Sequence, residues 1–76
     1  MQTRPLSNIA NEIRRDWKNI NYAAKPYLAA MLEMDKITDM YYYDEGKSVV
    51  RYFLANAGQW RGPVAQTIKA ELRGML

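Results

Sequence analysis

Two of the side chains that most often carry chemistry are absent from this chain: it has no histidine and no cysteine. Losing histidine removes the commonest general base, the commonest metal ligand and the usual switch near neutral pH. Without cysteine neither a disulfide framework nor a thiolate metal site can form. A catalytic centre would have to be assembled from carboxylates, Lys, Tyr and Arg alone. The sequence therefore reads as that of a non-enzymatic protein, with no cofactor and no metal.

What remains are groups suited to binding. Tyr41-Tyr42-Tyr43 is the oddest local feature, because three consecutive residues cannot all face one core. At least one ring should lie partly in water, and exposed Tyr offers large contact area at low entropic cost. Trp60-Arg61 pairs the two residue types most enriched at interface hot spots, although a Trp at a corner also serves as a lid over a core. We take Tyr41, Tyr42, Trp60 and Arg61 as a protein-binding patch, provided the two segments fall on the same side of the fold.

A nucleic-acid surface is the alternative. Arg14, Arg15, Lys18, Lys69 and Arg73 would contact phosphates, with the C-terminal half forming a helix-turn-helix-like pair. Glu12 and Asp16 interrupt the densest basic stretch, and the start of the would-be recognition helix is Pro63-Val64-Ala65, which offers little to a base edge. Glu33, Asp35, Asp39, Asp44 and Glu45 make an acidic middle without the pattern of an EF-hand loop, and capping and solubility account for them. Gly58 and Gly62 lack the context of a phosphate-cradling loop.

The elements that must position these groups follow from periodicity. The chain has 76 residues, 49% of them hydrophobic, enough for one compact domain over 1–76. Eleven basic residues face eight acidic ones, and the net charge of +3 permits an acidic partner without demanding one. Leu6, Ile9, Ile13 and Trp17 recur at three- and four-residue steps, the stripe of an amphipathic helix opened by Pro5, with Ser7 as another cap. Asn19-Ile20-Asn21 makes a corner, and Pro26 must lie in or near the first turn of the next helix. Asp35 to Tyr43 reads as a connector with one helical turn at Ile37 to Met40, since no partner strand is evident for its β-prone residues. Asp44 is the expected N-cap of the third helix, with Glu45 near its positive end. Gly58 is expected to end that helix in a left-handed conformation, Pro63 to open the fourth, and Gly74 to stop it.

The fold expected is all-α, a compact bundle of four short helices at about 5–18, 22–34, 45–57 and 63–73. Its core should contain Ile9, Ile13, Trp17, Leu28, Met31, Leu32, Val50, Phe53, Leu54, Val64, Ile68 and Leu72. No apolar run reaches the roughly 18 residues of a membrane span, and the opening Met1 to Pro5 lacks the apolar stretch of a signal peptide. A cytoplasmic location without membrane association is the default expectation.

Three stretches carry a resemblance: Ile9-Ala10-Asn11-Glu12-Ile13-Arg14-Arg15-Asp16-Trp17, then Tyr52-Phe53-Leu54-Ala55-Asn56-Ala57-Gly58-Gln59-Trp60-Arg61-Gly62, and Ile68-Lys69-Ala70-Glu71-Leu72. Together they resemble short uncharacterised proteins of bacterial plasmids and phages. The resemblance implies a mobile-element setting, where small proteins often bind a host or element protein, and it brings no active or binding residue with it. The function expected is thus a helical protein-binding module, with a host or mobile-element protein as partner. Self-association through the same patch is a further expectation, because small domains often gain stability by pairing.

Overall fold

The computed structural model describes residues 4–76; the first three residues of the opening segment lie outside the described residues. Helix α1 spans Leu6–Asp16 and lays Leu6, Ile9, Ala10 and Ile13 on the core. Pro5 sits at its N-cap, and its carbonyl accepts the N–H groups of Asn8 and Ile9 at 3.0 and 3.2 Å, closing the first turn. Arg14 and Arg15 occupy the last turn, where cations suit the negative end of the helix dipole.

Helix α2 spans only Lys25–Met31, shorter than the periodicity suggested. Asn21 explains the late start: its Oδ1 accepts the Ala23 N–H at 3.1 Å and holds the preceding residues in a turn. Pro26 falls in the first helical turn, as its missing N–H requires. After Met31 the chain tightens through bonds from Glu33 to the Ala30 carbonyl and from Met34 to the Met31 carbonyl.

The connector departs most from expectation. Strands β1 (Met40–Tyr41) and β2 (Asp44–Glu45) form an antiparallel hairpin, with Met40 opposite Glu45 and Tyr41 opposite Asp44. The fold is therefore mostly helical with a small two-stranded sheet, rather than all-α. Residues assigned to helix capping supply the partner strand, so Asp44 caps nothing; Glu45 is the N-cap, without a side-chain bond. In place of a helical turn at Ile37 to Met40, one tight turn is closed by the Asp39 N–H on the Lys36 carbonyl.

Helix α3 spans Gly46–Ala55 and buries Val49, Val50 and Phe53. Gly46 is required by a close approach: a Cβ there would lie 2.5 Å from the Ile37 carbonyl oxygen. At the far end Asn56 follows the helix and ties back to the Tyr52 carbonyl at 2.9 Å. The glycine with positive φ is Gly62, at 112°, not Gly58. Gly62 sets the entry into helix α4, which spans Pro63–Met75 and runs through Gly74. Val64, expected in the core, is exposed, and Ala65 takes the inward position one residue on.

One core joins all four helices, and its largest fully buried side chains include Phe53, Leu6, Ile9 and Ile13. Leu32 and Leu54 pack at its edge instead of inside it. Each such Leu, Ile or Phe buried contributes roughly 1.5–3 kcal/mol. The first and last helices are clamped by one arginine. Arg4 donates to both carboxylate oxygens of Glu71 at 2.9 and 2.7 Å and to Glu12 at 2.7 Å. The hydrogen bond from the Arg4 guanidinium, and then its charge, hold the Glu12 carboxyl below its usual range.

Candidate functional site

The helices run so that the molecule has two distinct ends. At one end α1 begins, α4 finishes and α3 opens. There the Leu6 and Ser7 N–H groups donate to the Asp35 and Met34 carbonyls, at 2.9 and 2.8 Å. Met75, Leu6 and Ile37 line one small cavity at this end, and the Gly46 N–H meets the Asp39 carbonyl at 2.8 Å. At the other end Trp17 stacks on Trp60, and the Asn21 amide donates to the Asn56 carbonyl at 3.1 Å. Helix α3, ten residues or about 15 Å long, separates the two.

The tyrosine run sits at the first end, on the hairpin. Tyr42 and Tyr43 form the reversal between β1 and β2, and they are 82% and 97% exposed. Tyr42 has φ 57°, a left-handed conformation that glycine or asparagine ordinarily occupies in such turns. For a tyrosine it costs about 1–2 kcal/mol. Tyr41 is half-buried, edge-on to the Tyr42 ring at 4.7 Å, and its hydroxyl is pushed up in pKa by the neighbouring Glu33 carboxylate. Met40, 60% exposed, widens the apolar tip. Beneath it Asp39 accepts the N–H groups of Lys36 and Asp35 at 3.0 and 3.1 Å, and these bonds lower its pKa.

Trp60 lies at the opposite end, inside. Its ring is 2% exposed, stacked on Trp17 at 5.8 Å and 10°, with Phe53 edge-on at 6.5 Å. Its indole N–H donates to Asp16 at 2.8 Å, so the ring is held in place by a polar anchor as well as by stacking. Trp60 is accordingly the lid of the core and offers no ring to a partner. The expected patch of Tyr41, Tyr42, Trp60 and Arg61 does not form, because the hairpin and the corner lie at opposite ends of α3. Arg61 stays exposed beside the lid.

The five basic residues of the nucleic-acid alternative do not share a face either. Arg15 lines an open groove of about 730 Å³ between α1 and α4, together with Val64, Thr67 and Glu71. Lys69 and Arg73 are on the other flank of α4, since a helix turns 100° per residue. Lys69 is half-buried and donates to the Trp60 carbonyl at 2.6 Å. Burial lowers its pKa, and the nearby Arg73 and Arg61 charges lower it further. Lys18 lies in the corner with Arg61, while Arg14 is exposed on α1. What the structure gathers is a smaller basic corner of Lys18, Arg61, Lys69 and Arg73.

Sequence reasoning missed three features of this arrangement: the clamp of Arg4, the Asp16–Trp60 bond and the need for glycine at 46. The first two join residues 67 and 44 positions apart, with no local signal. No set of three acidic side chains among the described residues is placed to hold a metal ion. No helix among them is long and apolar enough to cross a membrane. Compared with known proteins, the chain matches no family model, no curated protein and no solved structure.

Proposed function

We propose that this protein is a non-catalytic binding module whose contact surface is the tip of the tyrosine hairpin. The observation that carries the reading is Tyr42 itself. A glycine at that position would relieve an unfavourable backbone conformation, yet the chain places a large ring there, beside a second ring that is almost wholly in water. Neither ring stabilises the fold by burial. Rigid tyrosines with few rotatable bonds are effective contact residues for a protein partner. Met40 adds an adaptable apolar edge. A setting in a bacterial mobile element, and the cytoplasm as the place of action, are part of the same proposal.

Two variants test the reading. Tyr43→Ala should leave the thermal midpoint within a degree or two, because an exposed side chain contributes little to stability. It should nonetheless abolish retention of partner protein when the purified chain serves as bait in a nuclease-treated bacterial lysate. Tyr42→Gly should raise the midpoint, by relief of about 1 kcal/mol, while weakening the same capture. Undiminished capture by both variants would refute the hairpin as the contact surface.

A further inference from the structure

The charges are segregated along the molecule. Five of the eight acidic residues lie between Glu33 and Glu45, and Lys36 and Lys47 are the basic residues nearest to them in the chain. The three other carboxylates are all engaged elsewhere: Glu12 and Glu71 on Arg4, Asp16 on the Trp60 indole. Among the described residues, neither Lys18, Arg61, Lys69 nor Arg73 has a carboxylate within ion-pair distance. One end is thus an acidic, aromatic tip, and the other a cationic corner with no ion pair of its own.

The corner also has the shape for such a tip. Trp17, Lys18, Gln59, Trp60 and Arg61 line a groove of about 340 Å³. The two stacked indoles beneath it are buried, 6% and 2% exposed, so the exposed Lys18 and Arg61 side chains give the groove its character. Asp16 borders it too, with its carboxylate turned to the Trp60 N–H at 2.8 Å. Carboxylates that follow an exposed ring match a groove with cationic margins, and Tyr43-Asp44-Glu45 is that sequence. Asp44 and Glu45 are exposed, as is the Tyr43 ring they follow.

We infer that the hairpin tip of one copy docks into the basic corner of a second copy, Tyr43 in the groove and Asp44 and Glu45 against Lys18 and Arg61. The inference rests on the hairpin as the contact surface and names its partner. The two surfaces differ, so the contact is head-to-tail, and a copy engaged at its tip still presents a free corner to the next. Covering two tyrosines and a methionine buries only several hundred Å² on the hairpin side, which puts the contact among the small, transient interfaces. The association should therefore be weak, concentration-dependent and sensitive to salt. The Debye length shortens from about 30 Å at 0.01 M to about 8 Å at 0.15 M, so low salt is where it is read.

Sedimentation velocity of the full chain at low ionic strength should show a sedimentation coefficient that rises with concentration and falls back on adding salt. Tyr43→Ala, and the pair Lys18→Glu with Arg61→Glu, should each weaken association roughly tenfold or more. All these residues are exposed, so circular dichroism should report an unchanged fold. Mixing the corner-reversed chain with a chain carrying Asp44→Lys and Glu45→Lys should restore association that neither shows alone. A photo-crosslinking residue at position 43 separates the inference from the reading beneath it. Crosslinks formed by the purified chain alone, mapping to Gln59 to Arg61, support it. Crosslinks that appear only in lysate overturn it and leave the hairpin a contact surface for another protein. No crosslinks in either case overturn both. A corner whose charge reversal abolishes binding of a nucleic-acid duplex, in a chain that stays monomeric, also overturns it.

Discussion

Gly46→Ala tests the packing of the hairpin end most directly, because helix propensity and tertiary structure give opposite signs. In a helix, alanine is favoured over glycine by about 0.8–1 kcal/mol, less at a first turn. Here the added Cβ would stand 2.5 Å from the Ile37 oxygen, 2.8 Å from its carbonyl carbon and 2.9 Å from its Cα. All three are backbone atoms of a turn fixed by the Gly46–Asp39 and Asp39–Lys36 bonds, so no rotamer change can make room. Overpacking of this kind costs about 1–3 kcal/mol, towards the upper part of that range where backbone must move. Net of the propensity gain, the loss is about 1–2 kcal/mol. In a domain of this size 1 kcal/mol shifts the midpoint by about 4–8 °C, so a drop of roughly 5–15 °C is expected in a far-UV circular dichroism melt. Gly58→Ala and Gly74→Ala are the internal controls, since a Cβ at either meets nothing within 4 Å. Gly74→Ala, inside α4, should raise the midpoint. A Gly46→Ala chain that melts at or above the parent would refute the close approach to Ile37.

Three further outcomes follow from the same contacts. Trp60→Ala removes a buried, stacked ring at a cost of about 3–5 kcal/mol, a large part of the total stability of a domain this small, and chemical denaturation should find it largely unfolded. Trp60→Phe keeps the stack, leaves the Asp16 carboxylate free to hydrate at the exposed edge, and should melt between the two. Glu12→Gln should flatten the acid side of the stability profile. The folded carboxyl titrates below its unfolded value of about 4.3, so its contribution is present above that pH and is lost as pH falls through the lowered folded value. The group is 41% exposed, so the effect stays below about 1 kcal/mol, and denaturant titrations above pH 5 and below pH 4 will measure it.

The helices at the two ends of the chain were legible because their stripes are long and regular. Ile9, Ile13, Ile68 and Leu72 all point inward as their spacing demands, and Pro26 and Pro63 mark first turns. Val64 misled because one residue of phase, 100°, separates a core position from the rim, and the smaller Ala65 fits the inward site. The hairpin was hidden for a different reason. Its ladder is two residues long, too short for alternation to register, and Asp44-Glu45 are as apt before a helix as in an edge strand. Of the candidate site, the exposed tyrosines could be anticipated from three rings in succession, but the fate of Trp60 could not. Whether a corner Trp faces out or in depends on Trp17, Phe53 and Asp16, which reach it from other elements.

The clamp of Arg4 on Glu71 has a topological consequence. It brings together segments 67 residues apart, and Arg4, Leu6 and Met75 border the same cavity, so the two ends of the described chain emerge side by side. A short Gly/Ser bridge from Leu76 back to the first residues would close the chain into a ring, and the exposed Gly58-Gln59 would accept a new break. In such a circular permutant the clamp becomes a contact between near neighbours. The loop to be closed shrinks several-fold, which by chain statistics lowers the entropic barrier by about 1 kcal/mol. The permutant should refold several times faster than the parent, with its new termini at the corner and the tyrosine tip clear of any fusion.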